Sequence, residues 1–230
     1  MHIVILAAGR GSRLGRDIPK PLTRLVTGET IMERQLSAFA RVFPDTPVTI
    51  AVGHQVEHIV AAYPDLQKHY NARFAVTNTA KTLEGAAHGT PFDEGVLWVN
   101  GDLVFDDEVL NIMRRYVRTE HSAVAVSRGP VNDEEIKFTL DPDGFIDRLN
   151  KTIHPRFALG EGVGLNYISV HDKGEFLYWL NRVRDDDYFE RAIELSASSG
   201  LRFEPADVTG HTAIEIDFAD DLVRANLAVA

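Results

Sequence analysis

The sequence predicts an α/β protein built on a doubly wound, mostly parallel sheet, and three observations lead there. Short, continuously apolar runs rich in β-branched residues recur through its first half, each suited to a strand buried on both faces. Segments with apolar residues at helical spacing separate them, the alternation expected of a parallel sheet with helices packed on its faces. A glycine-containing, cation-rich loop leaves the first run, at the sheet edge where open α/β folds bind ligands.

The elements follow in order. Residues 3–6, Ile-Val-Ile-Leu, form the first strand. Residues 29–42 carry Ile31, Met32, Leu36, Phe39 and Val42 at helical spacing and end before Pro44. Val48–Val52 is the second strand, and after Gly53-His54-Gln55 a helix with Val56, Ile59 and Val60 runs to Tyr63-Pro64. Residues 73–76 read as a third strand, 96–99 (Val-Leu-Trp-Val) as a fourth, 107–117 as a helix and 122–127 as a fifth strand. The rhythm then changes. Residues 136–140 and 145–149 flank Asp141-Pro-Asp-Gly144, with Pro and Gly at turn positions, which predicts a hairpin. A strand at 164–170 precedes a helix at 172–183, begun by Asp172 with Glu175 completing a capping box. A helix at 188–198, strands at 202–205 and 213–217, and a terminal helix complete the chain. No linker, repeat or low-complexity segment divides it, so residues 1–230 read as a single domain with the hairpin half as a lid or acceptor side.

Lys and Arg number 24 against 34 Asp and Glu, a net charge of −10 that argues against nucleic-acid or anionic-membrane partners. Against that background Arg10, Arg13, Arg16, Lys20 and Arg24, opposed only by Asp17, are a local cationic cluster whose target is a small anion. Cysteine is absent, which excludes disulfides and thiolate chemistry. The start lacks a basic, cleavable leader pattern and no apolar run approaches 18 residues, so the expectation is a soluble cytoplasmic protein, its oligomeric state left open.

The loop after the first strand reads as a phosphate-binding loop. Gly9 and Gly11 allow positive φ and close approach of backbone N–H groups to a polyphosphate. A Walker A loop fails, because Lys20 stands between Pro19 and Pro21 rather than after the glycines. The dinucleotide fingerprint fails too, since Leu14 occupies its third glycine position and the prolines would break the helix it opens. The remaining reading is an extended loop that pins Lys20, with Gly9, Gly11, Ser12, Arg13 and Lys20 as candidate nucleotide contacts.

Two aspartates complete the chemistry. Asp102 in Asn100-Gly101-Asp102 and Asp217 in Ile214-Glu-Ile-Asp217 each end an apolar strand, where a carboxylate faces the ligand crevice. Together they can share one Mg2+, which favours carboxylate, water and phosphate oxygens. An acceptor phosphate has a second pKa of ~6 and is already an anionic nucleophile at neutral pH, so no activating serine, cysteine or histidine is required. Arg13 and Lys20 would hold the triphosphate, and pyrophosphate would leave in line.

The pattern Leu-Ala-Ala-Gly-x-Gly-x-Arg-Leu followed by Pro-Lys-Pro-Leu resembles the signature of the sugar-phosphate nucleotidyltransferase superfamily. The likeness continues through Val52-Gly-His54, Asn100-Gly-Asp102, Glu134-Glu-Ile-Lys137, Asp143-Gly, Asn150-Lys-Thr-Ile153, Gly164-Leu-Asn-Tyr167, Glu215-Ile-Asp217 and Asp220-Asp-Leu222, in the family's order. The short length and the Glu-Ile-Asp ending are most similar to the small cytidylyltransferases acting on phosphocholine, inositol phosphate or aminoethylphosphonate. This resemblance implies a three-layer α/β/α, Rossmann-like sandwich with a mostly parallel central sheet and a small hairpin lid. It implies Mg2+-dependent transfer of a nucleotide, CMP from CTP, to a small phosphomonoester or phosphonate. It also implies that Lys151 contacts the acceptor phosphate, that Lys137 lies near the reacting phosphates, and that the base rests against residues 6–9 and 82–87, including Thr82, Glu84 and Gly85. Thr82-Leu-Glu-Gly-Ala-Ala87 departs from the Gly-Thr-Ala-Gly-Ala type of the hexose-phosphate members.

Lys137 and Lys151 offer cations to the acceptor, and Asp185-Asp-Asp187 with Tyr188 offer acidic and hydroxyl groups to a polar, non-quaternary head. The alternatives are a hexose-1-phosphate acceptor with UTP, dTTP or GTP and, from another class, an inactive nucleotide-binding regulator. His54-Gln-Val-Glu-His58 matches an inverted zinc-protease pattern, but the strand immediately before Gly53 leaves His54 in a turn, off the helix face such a site needs.

Overall fold

The computed structural model describes residues 1–11 and 18–230; Ser12 and Arg13 of the predicted phosphate loop lie outside the described residues. Its order is β1 (His2–Ala7), α1 (Ile31–Val42), β2 (Val48–Val52), α2 (Val56–Ala62), β3 (Gln67–Tyr70), α3 (Thr79–His88), β4 (Val96–Asn100), β5 (Leu103–Phe105) and α4 (Asp107–Thr119). There follow β6 (Ala123–Arg128), β7 (Lys137–Leu140), β8 (Ile146–Asn150), β9 (Gly160–Ile168), α5 (Val170–Arg182), α6 (Phe189–Ser198), β10 (Glu204–Asp207), β11 (Ala213–Glu215) and α7 (Ala219–Val229).

The central sheet runs β10-β6-β9-β4-β1-β2-β3. β3, β2, β1 and β4 are mutually parallel, as are β6 and β10, while β9 runs antiparallel between β4 and β6. Alternation along β1 builds two cores. Ile3, Ile5 and Ala7 point into a cluster with Phe39 of α1 and Leu110 and Met113 of α4; Val4 and Leu6 point into the other, with Leu83 of α3, Phe176 of α5 and Phe189 of α6. Three layers result, as the resemblance implied. Trp98 of β4 is fully buried in the second core, stacked on Phe176 at 5.3 Å and edge-on to Phe189 at 5.7 Å. That contact anchors the N-terminus of α6.

The helix starts are chemically specified. Thr30 and Glu33 form a reciprocal capping box on α1, and Asp106 caps α4 through the N–H groups of Glu108 and Val109. In the predicted hairpin, Asp141 Oδ1 accepts from the N–H groups of Asp143 and Phe145, and Gly144 takes φ of +92°. The pair β7–β8 joins the main sheet through β9.

Several expectations are corrected. The third strand is Gln67–Tyr70, a polar edge strand, whereas Phe74 and Val76 lie in a turn. An edge strand needs no continuous apolar run, so hydropathy selects the wrong segment. Helix α3 has no counterpart among the expected elements, and α5 is capped by Ser169, whose hydroxyl accepts from Asp172 N, rather than by Asp172. β9 begins at Gly160, four residues early. β11 ends at Glu215 and pairs not with the main sheet but with β5, in a separate two-stranded ribbon.

Candidate active site

β1 and β4 lie side by side with Leu6 opposite Asn100, so their carboxyl ends open onto one edge. The chain after β4 turns at Gly101, whose N–H donates to Leu6 O at 2.9 Å. A Cβ at Gly101 would meet that carbonyl oxygen at 2.8 Å and Pro21 Cγ at 2.9 Å, so only glycine lets this turn pack beneath the 3-10 turn Lys20–Leu22. Asp102 thereby faces Lys20. The predicted extended loop around Lys20 is instead the start of that 3-10 turn, with Pro19 as its N-cap. Of the two loop glycines, Gly11 takes positive φ (+59°) and lies against the Lys20 stem, while Gly9 has an ordinary φ and open space where a Cβ would be.

The second aspartate arrives through the ribbon. Glu215 pairs with Leu103, and the next residue, Ile216, donates its N–H to Asp102 O at 3.0 Å. Asp221 of α7 accepts from the N–H groups of Asp217 and Phe218, fixing the exit of the strand. Lys20 Nζ then donates to Asp102 Oδ2 at 3.0 Å and to Asp217 Oδ1 at 2.5 Å. Burial alone lowers a lysine pKa, but the charge of Asp102 and the hydrogen bonds to both aspartates outweigh it and hold Lys20 above the usual lysine value.

Behind this triad, Asn100 Nδ2 donates to Glu215 Oε1 at 2.5 Å, and Gln35 of α1 donates to the carbonyls of Asn100 and Leu103. Burial and the charge of Asp102 push Glu215 up to about 8, against the hydrogen bond from Asn100. Neither Asn100 nor Glu215 was assigned a role from sequence. A period-two reading of Glu215-Ile-Asp217 was the available signal, since it puts both acids on one side of the strand.

These groups open into a cleft of about 800 Å³. Leu6, Ala7, Ala8, Gly9, Gly11, Lys20 and Thr82 line it, as do Asp102, Asp217, Lys151 and Tyr188. Lys137, Glu84, Gly85, Asp185 and Asp186 do not. Lys137 is fully buried and spends its ammonium on the carbonyls of Asn132, Asp133 and Glu135, shaping the loop that carries Glu134 and Glu135 to the cleft wall. Glu84 pairs with Lys81 at 3.0 Å and accepts from Asn181, and Gly85 packs against His69; both line a separate, shallower surface depression. Asp185 pairs with Arg73 and Asp186 with Arg184 on the surface, also away from the cleft. Lys151 Nζ stands 4.0 Å from Glu134 and 5.8 Å from the centre of the Tyr188 ring. Its position is set from α6, where Glu194 accepts from Leu149 N and Asn150 Nδ2 at the end of β8. Among the described residues no group of three or more His, Cys, Asp or Glu is arranged to hold a metal, the His54 and His58 pair included.

Residues 3–185 match the model of the MobA-like NTP transferase domain. The chain belongs to that family. This family assignment agrees with a curated relative, the bifunctional protein GlmU of Jannaschia sp., 26% identical over 98% of this chain. The chain spans about half the length of that relative, 51%. Solved structures share the transferase fold. They include the CTP:phosphocholine cytidylyltransferase of Streptococcus pneumoniae (TM-score 0.75, 14% identity, 100% of this chain and 99% of that one). The inositol-1-phosphate CTP transferase of T. maritima aligns with TM-score 0.79 and 16% identity over 99% and 94% of the two chains. A putative glucose-1-phosphate thymidylyltransferase of Bacillus anthracis gives 0.79 and 14% over the same shares. At these identities the structural likeness speaks to the fold. Among the described residues no helix is long and apolar enough to cross a membrane.

Proposed function

We propose that this chain transfers CMP from CTP to a small phosphomonoester or phosphonate, with Mg2+ and release of pyrophosphate. The observation that carries this reading is the convergence of Lys20, Asp102 and Asp217 at the carboxyl ends of β1 and β4, beside the open backbone at Gly9. Two of the solved structures of the same fold are CTP-dependent transferases for small phosphorylated acceptors, which supports this choice among nucleotides.

The residues fit a divalent cation. Asp102 and Asp217 bond to the same nitrogen, so their oxygens face one point, and two carboxylates with phosphate oxygens and water are the donor set Mg2+ takes. When bound there, Mg2+ would neutralise charge on the transferring phosphate. Lys20 adds a fixed positive charge at the same edge, on a stem held by Gly11 and by two flanking prolines. Lys151, across the cleft, receives the anionic group of the acceptor. That group is ionised at neutral pH and attacks without a general base, so the protein's contribution is positioning and charge neutralisation.

The test is a matrix of nucleoside triphosphates against phosphorylated acceptors with Mg2+, read by pyrophosphate release. Turnover restricted to CTP and small phospho- or phosphono-acceptors supports the reading. Turnover with hexose 1-phosphates and UTP or dTTP would replace the substrate assignment, and nucleotide binding without any pyrophosphate release would identify a regulator instead.

A further inference from the structure

Glu190 is a cleft carboxylate that the chemistry above does not use. Glu190 lines the cleft in the first turn of α6 and is 7% exposed, yet its Oε2 is buried without a hydrogen-bond partner. Its neighbours are otherwise satisfied. Glu194, one turn on, is bonded to β8 and Arg191, and Glu215 is bonded to Asn100. The preceding residue, Phe189, is packed against Trp98 and donates its N–H to Thr79 Oγ1, which fixes the backbone from which Glu190 projects. Lys151 lies near enough to act on it electrostatically, but its ammonium is held over the Tyr188 ring and beside Glu134. Burying a carboxyl without a partner either costs several kcal/mol or makes it keep its proton, and an opposite charge brought by a ligand relieves either cost.

Resting on the transferase reading above, we infer that the acceptor is zwitterionic: an N–H-bearing ammonium group is received by Glu190, while its phosphate or phosphonate is received by Lys151. The two opposite charges on one cleft match the two ends of such a molecule and disfavour a neutral polyol, which leaves the buried acid unpaired. A quaternary nitrogen is disfavoured too. It has no N–H to give the unpartnered oxygen, and the Tyr188 ring next to Glu190 already carries the Lys151 ammonium. Burial pushes the Glu190 carboxyl up to about 7 despite its own backbone N–H and Lys151, the mark of an acid still lacking its countercharge.

The experiment compares kcat/KM of the intact protein, with whichever triphosphate it turns over, for 2-aminoethyl phosphate, the near-isosteric 2-hydroxyethyl phosphate, and phosphocholine. A charged hydrogen bond to a buried partner predicts a preference of about 10- to 100-fold for the primary amine over the hydroxyl. In Glu190→Gln that ratio falls toward one, through a rise in KM for the amine. A parent enzyme that favours the hydroxyl or the trimethylated acceptor overturns the inference even if the variant does not fold, and so does a Glu190→Gln variant that keeps the parent's ratio. If no acceptor is turned over with any triphosphate, the transferase reading itself has failed. Calorimetric binding of 2-aminoethyl against 2-hydroxyethyl phosphate then decides the Glu190 assignment separately: tighter amine binding lost in Glu190→Gln upholds it, and equal binding refutes it.

Discussion

Lys20 Nζ bridges Asp102 and Asp217, the two carboxylates that would hold a divalent cation, and replacing it separates its structural role from its role toward the triphosphate. In Lys20→Met the stem that packs under Gly11 is kept and only the ammonium is lost. The two carboxylates then lose the ammonium they share. Removing one partner of a fully buried pair costs about 3–5 kcal/mol. The side chains here are 14%, 23% and 38% exposed, so solvent screening reduces the expected loss to about 1–3 kcal/mol. Because the Lys20 pKa is raised, this stabilisation is fully present below the ordinary lysine value and is lost only above it, so neutral buffer measures all of it. Urea unfolding without Mg2+ gives the loss. Adding millimolar Mg2+ restores most of it in the variant, because a cation again sits between the carboxylates, and changes the parent less. Pyrophosphate release stays at least about two decades down at saturating Mg2+, since the charge on the triphosphate is still missing. A variant as stable as the parent, or an equal Mg2+ effect on both proteins, would refute the reasoning.

Three further outcomes follow from the same geometry. Asp102→Asn and Asp217→Asn each lower turnover by at least about two decades with the fold retained by circular dichroism, and near-parental rates in either would remove it from the metal site. The two lysines should behave differently. Lys137→Met leaves three carbonyls without their donor and lowers stability by about 2–4 kcal/mol, whereas Lys151→Ala leaves melting nearly unchanged and raises the acceptor KM more than the CTP KM; the reverse assignment of effects would contradict their placement. Two buried acids should also lose their contribution to stability as pH rises from 5 to 7, opposed in that window by His2 and His69, whose pKa burial lowers. Burial and Glu135 raise Glu161, and burial raises Glu190, each to about 7, so the folded chain holds protons that the unfolded chain has released and pays for ionising them as the pH climbs. The share of Glu190 is on the order of 1–3 kcal/mol, and Glu190→Gln should remove that share from the unfolding profile across that window, an unchanged profile being the contrary result.

What the sequence determined by itself is local in its physics. Runs such as Val96-Leu-Trp-Val99 can be buried only on both faces of a sheet, and Gly11 and the prolines around Lys20 restrict the backbone whatever surrounds them. Strand-end aspartates next to apolar runs stand out for the same reason. Tertiary structure alone decided which groups meet. Asp102 and Asp217, 115 residues apart, share Lys20 because β5 pairs with β11, a two-stranded ribbon of three-residue strands that hydropathy does not announce. Lys137 and Lys151 read alike in sequence, yet one is turned inward onto carbonyls and the other toward the cleft. Glu190 reads as an ordinary acid in a helix's first turn, and only the fold leaves its Oε2 buried without a partner. A donor or acceptor looks the same along the chain whether its partner is backbone, water or ligand, and only the long-range packing of the fold decides which it receives.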